Sequence, residues 1–168
     1  MVTTLKLVPT APDDLPKVME WESHPDNSPF IGAFSHERHQ QVIADPNERH
    51  FKFINGQQNM IGYAIISGFK QDHRYFELRR IAIAEKGKGY GRQALRLIKD
   101  YCFSEEACYR LWLDVYDFNQ RARQLYLSEG FKEDGILLIE SKDRKKPQKL
   151  IVMSILQQDH KPQTAPIL

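Results

Sequence analysis

One stretch, Lys86-Gly87-Lys88-Gly89-Tyr90-Gly91-Arg92, constrains this chain more than any other. It closes a strand-like segment, Leu78 to Ala84, and opens a helical one, Gln93 to Cys102, so the backbone must pass from extended to helical within a few residues. Glycine at 87, 89 and 91 permits conformations that side chains exclude and lets the backbone come close to another group. Two lysines and an arginine among the glycines point to an anion, and the free N–H groups of a helix start form a phosphate site. A tight strand-to-helix turn with no ligand fits the same seven residues equally well. The rest of the chain has to decide.

The flanking patterns set the architecture. Thr3 to Val8 alternates as a strand, and Leu15 to Glu22 reads as a helix capped by Asp13-Asp14, with Leu15, Val18, Met19 and Glu22 on one face. After a turn-rich loop, Ser35 caps a second, weakly amphipathic helix to Ala44. His50 to Ile54 and Met60 to Ser67 form a hairpin about Asn55-Gly56, and Phe69 to Tyr75 reads as a polar loop. In the next strand Phe76 and Leu78 share one phase while Ile81 and Ile83 fall on the other. That implies either burial on both sides or a β-bulge at Arg79-Arg80, and the bulge is the preferred reading.

Beyond the glycine turn, Ala94, Leu95, Ile98, Tyr101 and Cys102 mark a helical apolar face. Arg110 to Tyr116 alternates as a strand. Asn119 caps a helix to Glu129 that Gly130 ends. Gly135 to Glu140 and Lys149 to Leu156 complete the strands around a solvated basic loop, Lys142 to Lys149. The expected fold is a mixed α/β sheet with helices on both faces.

Composition bounds the function without choosing it. At 168 residues, with 41% hydrophobic and 27% charged, the chain suits one domain over residues 1–156 with a loose tail over 157–168. A net charge of +2 selects no partner and gives no reason to expect nucleic acid. Cys102 and Cys108 make no CxxC pair and read as reduced thiols of a cytoplasmic protein. No signal peptide or apolar run of about 18 residues is present, so no membrane span is expected. His24, His36, His39, His50 and His73 are scattered over loops and outer helices, and no metal site is expected.

Four segments in order, Ile81-Ala82-Ile83, Lys86 to Gly91, Leu111-Trp112-Leu113-Asp114-Val115 and Asn119 to Phe131, resemble the GCN5-related N-acetyltransferase (GNAT) family, which binds acetyl-coenzyme A. The family's Gln/Arg-x-x-Gly-x-Gly/Ala motif is met by Lys86 to Gly91, with Lys86 in the Gln/Arg place. Its Asn-x-x-Ala-x-x-Leu-Tyr-x-x-x-Gly-Phe motif is met by Asn119, Ala122, Leu125, Tyr126, Gly130 and Phe131. The likeness is carried by residues from about Met60 to Phe131. Only Ala84-Glu85 separates Ile83 from Lys86, where many members have a longer, proline-containing loop.

The resemblance implies an acyl-CoA N-acyltransferase fold: a mostly antiparallel sheet of about seven strands with a splayed, bulged central strand. It implies an enzyme that moves an acetyl group from acetyl-CoA directly to a primary amine of a small molecule or protein, and dimers as a common assembly. Lys86, Gly87, Lys88, Gly89, Tyr90, Gly91 and Arg92 would cradle the pyrophosphate. Ile81, Ala82 and Ile83 would pair with the pantetheine arm, one amide facing the thioester oxygen. Tyr126 stands in the place of the general acid, and Asn119 shares its helix face. Glu77 and Asp114 both stand where relatives carry a general base. Glu77 is narrowly preferred, although a salt bridge to Arg79 or Arg80 explains it as well.

Two other classes remain to compare. A regulatory module could keep the cofactor turn without catalysis, but the intact Tyr126 favours the enzyme. A P-loop or dinucleotide binder lacks its Gly-Lys-Ser/Thr ending or GxGxxG spacing here. The acceptor is not legible. Trp21, Phe30 and Phe34 either line its pocket or pack in the core.

Overall fold

The structure, a computed structural model, describes residues 4–140, 142 and 145–162. Seven strands form one sheet: β1 (Lys6–Pro9), β2 (Glu48–Ile54), β3 (Met60–Ser67), β4 (Tyr75–Ile83), β5 (Arg110–Tyr116), β6 (Lys132–Ile139) and β7 (Gln148–Leu156). Their order is β1-β2-β3-β4-β5-β7-β6, antiparallel throughout except for the β4–β5 pair. Four α-helices, α1 (Leu15–Ser23), α2 (His36–Ala44), α3 (Tyr90–Asp100) and α4 (Gln120–Ser128), cover the sheet.

The two faces bury different residue sets. One cluster joins Phe53, Phe76, Leu111 and Met153 of the strands to Ala94, Leu95 and Ile98 of α3 and Tyr126 of α4. The other packs Val18 and Trp21 of α1 and Val42 of α2 on Tyr63, Ile65 and Ala82. β3 is buried along nearly its whole length because it has helices on both sides. Trp21 belongs to this second core, with Phe34 packed beside it. Neither lines the cleft described below.

The expected bulge is present. Ile65 pairs with Arg80 and Ile66 with Leu78, which leaves Arg79 without a partner on β3. The extra residue reverses the phase, so Leu78 and Ile81 both face the α3 side while Ala82 faces α1 and α2.

Several boundaries move. α3 begins at Tyr90, so Tyr90, Gly91 and Arg92 are its first turn and not part of a loop. It runs into a π-helical turn over Tyr101–Glu105. β6 starts earlier than expected, at Lys132, and all its residues are exposed at the sheet edge, Ile136, Leu137, Leu138 and Ile139 among them. The tail is not loose at its start. Gln157–Asp159 makes a short 3-10 turn, the Gln157 amide donates to the Tyr109 carbonyl at 2.9 Å, and His160 stacks on Phe103. Thr3 of the first expected strand and the 163–168 end lie outside the described residues.

Candidate active site

The parallel ladder between β4 and β5 holds only Tyr75, Phe76 and Glu77 against Arg110, Leu111 and Trp112. Beyond it the strands part, although β4 continues to Ile83 and β5 to Tyr116. Backbone groups on the β5 side of Ile81, Ala82 and Ile83 therefore lack a ladder partner. The gap opens a cleft of about 1380 Å³ lined by both strands, the glycine turn, α4 and the loop after α1.

The turn has the geometry its glycines suggested. Gly87 and Gly89 sit at φ 81° and 76°, and a Cβ at either position would meet open space. Gly89 is the N-cap of α3 and has no side chain to satisfy the helix start. Among the described residues nothing accepts a hydrogen bond from the amides of Tyr90, Gly91 or Arg92, and the first helical bond runs from Gln93 to Gly89. Unpaired donors facing an empty concavity at a helix start suit a pyrophosphate. Gly91 differs: a Cβ there would make an ordinary contact with the Leu125 side chain at 3.5 Å.

The three cations of the turn itself, Lys86, Lys88 and Arg92, are engaged. Lys88 donates to Glu85 at 2.6 Å and does not line the cleft. Arg92 donates to Ser128 at 2.9 Å and to Glu129, which also takes Arg96 and Lys99. Burial alone would raise the Glu129 carboxyl, but these three cations hold it down at about 2. Lys86 reaches across the cleft to Asn27 at 2.7 Å.

Tyr126, Asp114 and Asn119 come together in the cleft, with Ile81, Ala82 and Ile83 on its other wall. Asn119 accepts from the Ala122 amide at 3.3 Å, as its place before α4 implied. Tyr126 is buried, and its ring contacts Phe131. Burial pushes its phenol up to about 12, with Asp114 adding to the rise, so it stays protonated across the neutral range. Asp114 is exposed to the cleft, where partial desolvation between its walls raises its carboxyl, with Arg79 pulling the other way. Glu77 stands off the cleft lining, its carboxylate 3.4 Å from the Ser67 hydroxyl and 3.5 Å from Arg79 Nε. Burial raises it too, Arg79 opposing and Asp114 adding.

Two groups at and behind the loop after α1 escaped the sequence reading. His39 and His50 are buried in the fold, not scattered over its outside. Glu22 Oε1 lies 2.8 Å from His39 Nε2, His39 Nδ1 lies 3.1 Å from His50 Nε2, and His50 Nδ1 lies 2.8 Å from the Thr10 hydroxyl. Tyr63 and Arg80 each donate to Glu22 Oε2 at 2.6 Å. Burial would raise Glu22, but bonds from His39 and Tyr63 outweigh it and hold the carboxyl below its usual range. Burial pushes His50 down to about 4, with His39 adding. Arg80 also donates to the Gly32 carbonyl and stacks 3.4 Å from the Phe34 ring centre. The signal for Glu22 was present, since a carboxylate on the apolar stripe of α1 demands buried partners. Nothing local named them. Asn27, the second group, looked like an ordinary loop residue.

The model of the acetyltransferase (GNAT) family matches residues 15–131. The spermidine N(1)-acetyltransferase of Vibrio cholerae is 32% identical over 105 residues, and the match spans 62% of this chain and 61% of that relative. The crystal structure of spermidine N-acetyltransferase from Vibrio cholerae in complex with CoA and spermine superposes with a TM-score of 0.82 at 27% identity, covering 93% of this chain and 97% of that one. A dodecameric structure of the Vibrio cholerae enzyme gives 0.77 at 27% identity, covering 92% and 95%. Among the described residues no helix is long and apolar enough to cross a membrane, and no cluster of ligating side chains would hold a metal ion.

Proposed function

Because the chain belongs to the acetyltransferase (GNAT) family, we propose that it moves the acetyl group of acetyl-CoA to a primary amine, with a polyamine such as spermidine as the first acceptor to test. One observation carries the catalytic part. Where β4 and β5 part, a carboxyl raised by partial desolvation and a phenol kept protonated face the same cleft. The unpaired backbone beside Ile81, Ala82 and Ile83 lies on its opposite wall, where an extended thioester arm adds to the strand edge.

Asp114 takes a proton from the amine as its nitrogen attacks the thioester carbon. A backbone N–H of the Ile81–Ile83 segment stabilises the oxygen that becomes negative. The C–N bond forms, the C–S bond breaks, and Tyr126 gives its proton to the departing thiolate. Glu77, one pair back on the ladder, is the second proposed acid: it adds to the local charge or receives the proton through water. The dispositions of the arginines support a cationic acceptor. Glu48 engages Arg79, Glu22 engages Arg80 and Lys88 engages Glu85, which leaves Asp114 and Asp26 as the carboxylates of the lining for a charged amine to meet.

Thiol release from acetyl-CoA, measured with spermidine, spermine, a peptide N-terminus and a free amino acid, tests this reading. Turnover is expected with at least one amine, together with the acetylated product. Asp114→Asn should lower kcat/KM by about 100-fold and remove a limb of the pH profile that rises above the ordinary carboxylate range. Acetyl-CoA binding without product from any amine would favour a regulatory module instead. We further propose a homodimer, with the exposed edge of β6 meeting its own copy antiparallel, since a long apolar strand edge left bare is an association site. Sedimentation at micromolar concentration reads this out, and a monomer would overturn it.

A further inference from the structure

Asn27 is the hub of the loop that forms the acceptor wall. Its amide donates to the His24 carbonyl at 2.9 Å, and its own carbonyl accepts from the amides of Phe30 at 2.9 Å and Ile31 at 3.1 Å. Its side-chain Nδ2 donates to the Trp21 carbonyl at the end of α1, at 3.0 Å. That leaves Oδ1, which accepts from Lys86 Nζ at 2.7 Å. The residue is 7% exposed, so none of these bonds is exchanged readily for water. The last one is different in kind: it joins this wall to the glycine turn, 59 positions away in sequence.

Lys86 is exposed, but its Nζ is held at the cleft by Asn27. Partial desolvation there lowers its affinity for its proton, and Arg121 adds to this, with Asp26 opposing. Two cations thus share the cleft lining near the turn, an arrangement that an anion would relieve. An ammonium has three N–H donors. Asn27 takes one, and the others remain for an anion in the turn.

We infer that Asn27 is a positioning residue that transmits donor binding to the acceptor wall. Lys86 keeps its bond to Asn27 while its remaining donors meet the donor's phosphate, so the loop over residues 24–32, already held by Asn27 and by Arg80 at Gly32, opens less often when the turn is filled. The acceptor pocket is then completed by the co-substrate. Amine binding should follow donor binding. The inference rests on the reading of the turn as an acetyl-CoA site, but its test needs no acceptor.

Hydrogen exchange over residues 24–34, with and without saturating CoA, reads the coupling directly. In the wild-type protein CoA should slow exchange there by about fivefold or more, the low end of ordinary site coupling. In Asn27→Ala, calorimetry should find that CoA still binds, weaker by no more than the coupling itself, about fivefold, yet CoA should no longer slow the loop. Asn27→Asp keeps an oxygen for Lys86 but sets a carboxylate against the Trp21 carbonyl, so it should restore part of the slowing, more than Asn27→Ala and less than wild type. Should the alanine variant fold poorly, Lys86→Met at saturating CoA must show the same loss of slowing with Asn27 intact. CoA-dependent slowing in Asn27→Ala equal to wild type would overturn the inference. So would no slowing in a wild-type protein that binds CoA. Failure of CoA to bind at all is seen first in the calorimeter and removes the donor reading as well.

Discussion

Tyr126→Phe is expected to lower kcat by about 100-fold or more, the usual contribution of a positioned acid, with KM for acetyl-CoA nearly unchanged. The fold should hardly notice. Tyr126 is 8% exposed and packs through its ring against Phe131, a contact phenylalanine keeps. The hydroxyl has no hydrogen-bond partner among the described residues, so its removal leaves no group unsatisfied. A lowered kcat alone would not separate an acid from a space-filling ring. Acetyl thioesters of increasingly acidic thiols do, because a leaving group that needs no proton gains nothing from Tyr126. The defect should shrink along that series. Full turnover by the variant, or a defect of equal size for every thiol, would remove Tyr126 from the mechanism.

Glu22→Ala should cost the fold about 3–5 kcal/mol, the range for leaving a buried charge without its partner. That corresponds to a fall in Tm on the order of 10 °C for a chain of this length. The carboxylate is fully buried and takes bonds from His39, Tyr63 and Arg80. Four elements, α1, α2 and the central strands β3 and β4, are tied at that point. Its loss leaves two potential cations and a phenol without an acceptor, and it frees Arg80, which holds the acceptor loop at Gly32 and Phe34. Glu22→Gln keeps one oxygen and should lose about half as much. Thermal melts that place either variant within about 1 kcal/mol of wild type would show that the network is ornamental to stability.

Much of this was legible because it is local. The phase slip at Arg79 could be read from Phe76, Leu78, Ile81 and Ile83, since side chains alternate strictly along a strand. The glycine turn announced its positive φ angles, and Asn119 and Gly130 marked both ends of α4. The first turn of α3 is misplaced for the same local reason: Gly91 reads as part of the loop, whereas it lies inside the helix. What escaped depends on distant chain segments. Glu77 fits a catalytic place by sequence, but the three-residue ladder with β5 holds it off the cleft lining, and only the point of splay decides that. The partner of Glu22, His39, comes from α2, and the partner of His39, His50, comes from β2. The Lys86–Asn27 bond likewise exists only once the first loop folds back over the turn.

The central claim is that the splay between β4 and β5 and the glycine turn beside it hold acetyl-CoA. Calorimetric titration of CoA into the wild-type protein and Gly89→Val tests it most directly. Gly89 sits at φ 76° with open space where a Cβ would stand, so valine both strains the turn and fills the cradle. The expected result is one site in the wild type, weakened by about tenfold or more in the variant, with no heat from ATP or NAD. Absent CoA binding, or binding that valine at position 89 leaves unchanged, would contradict it.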